Sequence, residues 1–287
     1  MKRVAIFLVA CMVLAATSDV ANARVAKVKM PKLTTEKVAR ETFKIDKDQP
    51  EGIIGMLKGY SVEWPADMGG LDLTNMRNAV GRLAFGKNYV EGTDAETMMS
   101  NILYGNEPAA PTPYEINEAF FYSNDFQWLN KPGMQNFYYD LTLVKIIDKR
   151  DGKYLSYCKN YTSWMGATAH EYLYYMIYNV AGNEPLQYED IFRAGTDADV
   201  VKAIVEQMMK DCGAKTYAEL KEMMCLMFEG DYPPVTHNVA FVDGKFVFTY
   251  NPYEIACGNA DHITVAIPTN RLRPYLTTIA SLVLLKK

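Results

Sequence analysis

The stretch from Phe137 to Val180 constrains the fold of this chain more than any other. Aromatic and β-branched residues crowd Phe137–Ile147 and return over Lys153–Trp164, with Asp151-Gly152 between them. An Asp-Gly pair supplies the positive φ angles of a tight hairpin turn. Ala169–Val180 has the composition of a third strand and runs into the turn formers Gly182-Asn183-Glu184-Pro185. Three strands joined by short connections form an antiparallel meander, so any fold for this chain is built around that sheet.

Helical spacing appears on both sides of the meander. Leu71, Leu73, Met76, Val80, Leu83 and Ala84 recur on one helical face and stop near Gly86. Thr93 and Glu96 have capping-box spacing ahead of Met98, Met99, Ile102 and Leu103, with Gly105 as the stop. Past the meander, Asp197 precedes a stripe of Val200, Val201, Ile204, Val205, Met208 and Met209 closed by Gly213. Thr216 and Glu219 suggest a second capping box leading to Gly230. A final hairpin turns at Asp243-Gly244, and a strand follows over Ile263–Ile267. The apolar tail Ile279–Leu285 reads as a last core strand. Tyr60–Trp64 reads as a strand stopped by Pro65. Strands and helices come in blocks, which predicts an α+β fold with a mainly antiparallel sheet packed by helices, in two sub-domains sharing an interface. The expected division is 1–23, 24–49 as a flexible arm, 50–136 as a small N-terminal region and connector, and 137–287 as the C-terminal domain.

The first 23 residues have the parts of a cleavable secretory signal. Lys2 and Arg3 precede an apolar run from Val4 to Ala16, and Ala21-Asn22-Ala23 supplies small residues before Arg24. That run is shorter than the ~20 residues a bilayer core requires. Leu8-Val9-Ala10-Cys11 also resembles a lipobox, so a lipid anchor at Cys11 is the competing reading. No later stretch is long and apolar enough to span a membrane. The expectation is an exported chain, periplasmic or at the cell surface. Its net charge of −4, with both signs interspersed, argues against a nucleic-acid partner. Apolar content of 49 % and 20 tyrosines are enough for a packed core and exclude general disorder.

Catalytic and metal motifs are scarce. His170-Glu171 opens like a zinc-protease helix, but Tyr174 stands where the second histidine would be, and the segment reads as a strand. The spacing of His170, His237 and His262 does not bring them together, so no metal is expected. Phosphate-binding loops and nucleophile elbows are absent, and nothing calls for a cofactor. Cys158, Cys212, Cys225 and Cys257 lack zinc-knuckle spacing. Buried free thiols are the expectation, with one bridge left open. A pairing of Cys257 with His262 or His170 also stays open.

The tyrosine-rich strand is more informative. If it is extended, His170, Tyr172, Tyr174, Met176 and Tyr178 share one face, and Glu171, Leu173, Tyr175 and Ile177 the other. It is either a central strand packed on both faces or a face that binds a protein or sugar rings. Asn251-Pro252-Tyr253-Glu254 reads as a rigid corner that would hold Tyr253 and Glu254 in defined places.

Two stretches resemble a bacterial envelope family, the RsiV-like and PdaC-associated domain of unknown function 3298. The first is Phe248-Thr-Tyr-Asn-Pro-Tyr-Glu-Ile-Ala256 with Ile263-Thr-Val-Ala-Ile-Pro268. The second is Tyr161–Phe192, with Gly166-Ala-Thr-Ala-His170 between strands. The likeness covers roughly 137–276, and residues 50–104 resemble the small partner domain that often precedes it. It departs from the usual pattern at Glu171 and at Cys257-Gly-Asn-Ala-Asp-His262. The resemblance implies a noncatalytic exported binding domain whose partner is a lysozyme-like protein or a cell-wall glycan. Gly166, His170, Glu171, Asn251, Tyr253 and Glu254 are the candidate ligand-binding residues. The alternative is a secreted enzyme acting on peptidoglycan or another glycan, with His170, Glu171 and Glu254 as acid/base candidates.

Overall fold

The computed structural model describes residues 30–45, 53–67, 69, 72–105, 134–164, 169–228, 230, 232–257 and 261–285. The expected signal segment over 1–23 and Gly166 lie outside them, as do residues 106–133 of the connector expected over 105–136.

The expected meander is the centre of the molecule. Strands β3 (Met134–Arg150), β4 (Tyr154–Trp164) and β5 (Ala169–Asn179) pair antiparallel in sequence, with Gly152 at φ 65° in the first turn. Alternation divides the buried residues between two faces. Leu155, Tyr157 and Tyr178 point to one side, and Tyr154 and Ile177 to the other. A short β6 (Glu184–Leu186) adds to β5 only at Ile177–Asn179.

The sheet continues at its other edge with β1 (Lys32–Ile45) and β2 (Ile53–Asp67). These two pair antiparallel, and β2 then pairs parallel to β3, from Gly55 opposite Phe137 to Val62 opposite Val144. Six strands therefore stand in the order β1-β2-β3-β4-β5-β6. Residues 32–45 are thus an edge strand where the sequence suggests a flexible arm. Their charges hide the strand from a pattern search, yet charge is what keeps an open sheet edge from pairing with other chains. One sheet also runs across the expected boundary at 136–137. Pro65 does not stop β2; it sits near the strand end, and its carbonyl accepts from Arg77 Nε at 2.9 Å.

Helices α1 (Thr74–Phe85) and α2 (Ala95–Tyr104) cover one face. Met76, Val80 and Ala84 of α1, with Met98 and Met99 of α2, pack on Val62, Trp64, Val144, Leu155, Tyr157 and Tyr178. The cap of α2 is Asp94, whose carboxylate accepts from Thr97 N, one residue on from the expected Thr93.

The other face carries a second, antiparallel sheet of β7 (Val239–Val242), β8 (Lys245–Tyr250) and β9 (Ile263–Pro268). Asp243 and Gly244, both at positive φ, form its expected hairpin turn. Ahead of it come α3 (Tyr188–Ile191), α4 (Asp197–Cys212) and α5 (Tyr217–Met223). Val200, Ile204 and Met208 of α4 join Phe192, Phe241, Phe246 and Phe248 in the larger core. The tail is helical rather than a strand, with Leu284 fully buried. A short apolar run buries equally well in either form, so periodicity could not decide it. The architecture is α+β. Among the described residues, no helix is long and apolar enough to cross a membrane.

Candidate functional site

Burial along β5 changes halfway. Ile177 and Tyr178 are buried, whereas Ala169–Met176 are exposed or half-buried, and Tyr174 is 41 % exposed. The packed-strand reading of the tyrosine strand therefore holds for its second half, while its first half stays open to solvent. The open half lies beyond the helices.

On its helix-side face, cross-strand pairing sets Tyr161 against Tyr172 and Lys159 against Tyr174. The Tyr161 and Tyr172 rings are 5.8 Å apart, and His170 lies 6.2 Å from Tyr172. Lys159 Nζ is 5.6 Å from the Tyr174 ring centroid, and burial holds this lysine below the usual ammonium range. Tyr161 donates to Asp140 Oδ1 at 2.9 Å, and burial is the main reason its phenol is pushed up to about 12. The result is a ladder of rings with hydroxyl tips, flanked by a cation and a carboxylate.

The Asn-Pro-Tyr-Glu corner completes this ladder. Asn251 is only 5 % exposed, and its side chain acts as a substitute strand partner. Its Oδ1 accepts Leu173 N at 2.8 Å, and its Nδ2 donates to Leu173 O at 3.0 Å. Asn238, which sequence reasoning missed, does the same next door. Its Oδ1 accepts Tyr175 N at 2.9 Å, and its Nδ2 reaches Leu173 O at 2.7 Å. These two amides satisfy the edge of β5 where β6 does not reach. Lone asparagines carry no sequence signal for such a role, because the strand they cap is more than sixty positions away.

Glu254 belongs to the corner as well. Its Oε2 accepts the backbone N–H of Asn251 at 3.0 Å, and Glu254 N donates to Asn251 O at 3.1 Å. The turn this closes leaves Tyr253 at φ 70° and 65 % exposed. Its ring stands 5.5 Å from that of His170. A bulky side chain in the left-handed region is a backbone outlier, and a glycine would sit there without strain.

Glu171 points to the opposite face of β5 and accepts from Asn160 Nδ2. His262 Nδ1 lies 3.6 Å from Glu171 Oε2 and 3.4 Å from Asp261 Oδ1. Among the described residues, this is the one gathering of metal-ligand atoms, all within 4.8 Å. Its donors are of the kind zinc accepts, but carboxylates also gather in this way without a metal. The three histidines do not meet, since His237 stacks on Tyr188 with ring centroids 4.3 Å apart. The six expected residues thus separate. His170 and Tyr253 stand together, Asn251 and Glu254 build the corner beneath them, Glu171 faces away, and Gly166 is not described.

This geometry defines a two-sheet α+β domain with an aromatic surface at one sheet end. The family model for DUF3298, a protein of unknown function, matches residues 189–270. That span holds the second sheet, Asn238 and the corner. Among solved structures, a member of the DUF3298 family from Bacteroides fragilis has a TM-score of 0.63 at 14 % identity, covering 89 % of this chain and 97 % of that one. A DUF3298 family protein from Pseudomonas aeruginosa PAO1 has a TM-score of 0.50 at 17 % identity, covering 87 % and 96 %. At these identities the likeness is one of fold. No functionally curated protein matches the sequence.

Proposed function

We propose that this chain is an exported, noncatalytic binding domain of the cell envelope that holds a cell-wall glycan against the open half of β5. The observation that carries this reading is Tyr253. An exposed aromatic kept at positive φ is strain retained at a position where glycine would be easier, and such strain clusters at ligand sites. The corner beneath it, closed by Asn251 and Glu254, aims the ring along the ladder of His170, Tyr172 and Tyr161. Flat apolar faces with polar edges match the alternation of C–H face and hydroxyl rim on a sugar ring, and Lys159 and Asp140 supply charged rims. Two of the three acid/base candidates are already engaged, Glu254 with the turn and Glu171 with Asn160, which favours binding over turnover.

The test is calorimetric titration of the purified chain with soluble peptidoglycan fragments, with c-type lysozyme as a parallel titrant. Saturable glycan binding is expected, weakened roughly 2–12-fold by Tyr253→Ala or Tyr174→Ala, from ~0.5–1.5 kcal/mol per ring contact. Lysozyme binding that is lost in the same variants assigns the face to a protein partner, as the family resemblance implies. Release of new glycan products that His170→Ala abolishes moves the assignment to an enzyme. Binding of neither titrant removes the proposal.

A further inference from the structure

We propose that Cys225 and Cys257 join in a disulfide when the folded chain meets a disulfide oxidant. The two thiols are free in the structure, and their residues stand next to a backbone-paired step. Leu226 and Ala256 form an isolated antiparallel bridge, flanked by Met227 N to Ile255 O at 2.7 Å and Cys257 N to Cys225 O at 3.2 Å. Cys225 and Cys257 are therefore the next opposed pair. The single bond from Cys257 N to Cys225 O keeps their Cα atoms roughly 5–6 Å apart, inside the ~4.4–6.8 Å window of a disulfide. The Cys257 thiol beside it holds the Cys225 thiol above the usual thiol range.

The local backbone at Cys225 points the same way. Cys225 N donates to Glu222 O at 3.3 Å and Leu226 N to Lys221 O at 2.9 Å, the two bonds of a Schellman stop at the end of α5. Cys225 occupies the left-handed position of that stop, at φ 48°, where glycine or asparagine is the unstrained choice. Like Tyr253, it keeps a side chain where having none would be easier.

The remaining described cysteines are differently placed. Cys158 is buried in β4, and its thiol is pushed up to about 12, chiefly by burial. Cys212 Sγ donates to Met209 O at 3.7 Å. Cys225 is exposed rather than buried, so an external oxidant can reach it.

With glutathione disulfide as oxidant, one thiolate attacks its sulfur–sulfur bond to give a mixed disulfide and one glutathione. The second thiolate then displaces the second glutathione and forms the Sγ–Sγ bond. Two electrons and two protons pass from the protein thiols to two glutathione molecules. The link closes a ring of chain that contains β7, β8, Asn238 and the corner, so it clamps the segment that seals β5.

The experiment equilibrates the purified chain in reduced and in oxidised glutathione, followed by non-reducing peptide mapping and thermal melts. The expected product is one linked peptide pair carrying Cys225 and Cys257, with a rise in Tm of about 5–10 °C over the reduced chain. That rise is absent in Cys225→Gly, which suits the left-handed position and preserves the fold, and in Cys257→Ser. Alkylation of both thiols at equilibrium with oxidised glutathione, or a linked pair involving Cys158 or Cys212 instead, overturns the proposal.

Discussion

The two asparagines that seal β5 share one acceptor, and that sharing is measurable. Asn251→Ala removes the partner of Leu173 N, but Leu173 O keeps its bond from Asn238 Nδ2 at 2.7 Å. The main loss is one half-buried N–H left unpaired, together with one hydrogen bond, about 2–4 kcal/mol in all. Asn238→Ala orphans Tyr175 N in the same way. Thr249 O, which Asn238 also touches, keeps its bond from Thr236 Oγ1 at 3.0 Å. Each single variant therefore leaves Leu173 O with one donor, and only the double variant leaves it with none. The double variant should lose ~1–2 kcal/mol more than the sum of the singles, a coupling expected of residues that share a partner. Urea denaturation followed by tyrosine and tryptophan fluorescence closes the cycle. Amide exchange supplies the site-specific check, with Leu173 N–H accelerated in Asn251→Ala and Tyr175 N–H in Asn238→Ala. Additivity within ~0.5 kcal/mol, with unchanged exchange at both amides, would refute the sealing argument.

Tyr253→Gly should raise unfolding stability by about 1 kcal/mol, because the left-handed conformation no longer opposes a side chain. A denaturation midpoint below that of the parent chain would show that the ring serves the fold instead. Asp94 gives a pH signature. The N–H and hydroxyl of Thr97 hold its carboxyl below 3.8, so its contribution is present above pH ~4 and fades as pH falls toward the folded-state value. Asp94→Ala should therefore cost about 1 kcal/mol at pH 7 and progressively less below pH ~4, measured by urea midpoints at both. Asp94→Asn, which keeps an acceptor, should lose less than alanine at pH 7.

The meander was legible because aromatic alternation and an Asp-Gly turn are local signals, and both hairpin turns fell where they point. The edge strand over Lys32–Ile45 was not. Its stability comes from backbone pairing with β2, which polar side chains neither announce nor oppose. The end of α5 was misplaced by the same logic, since a cysteine stands where a stop signal would be glycine. At the site, the corner could be read as rigid, but not as a clamp on a strand far back in the chain. Glu254 looked like an acid/base group because carboxylates carry no mark of what they accept. Glu171 and His170 are neighbours in sequence and were grouped, although strand alternation sends them to opposite faces.

The parallel pairing of β2 with β3 sets a clock on assembly. The hairpin of β1 and β2 is complete at Asp67, yet its sheet partner is not finished until Arg150. At ~5–20 residues per second, a chain delivered from its N-terminus holds that hairpin without its neighbour for roughly 4–17 s. A hairpin closes in microseconds, so the wait is long on its own timescale. Through that interval one side of β2 offers unpaired backbone groups to whatever is nearby, and the later arrival of β3 ends the exposure.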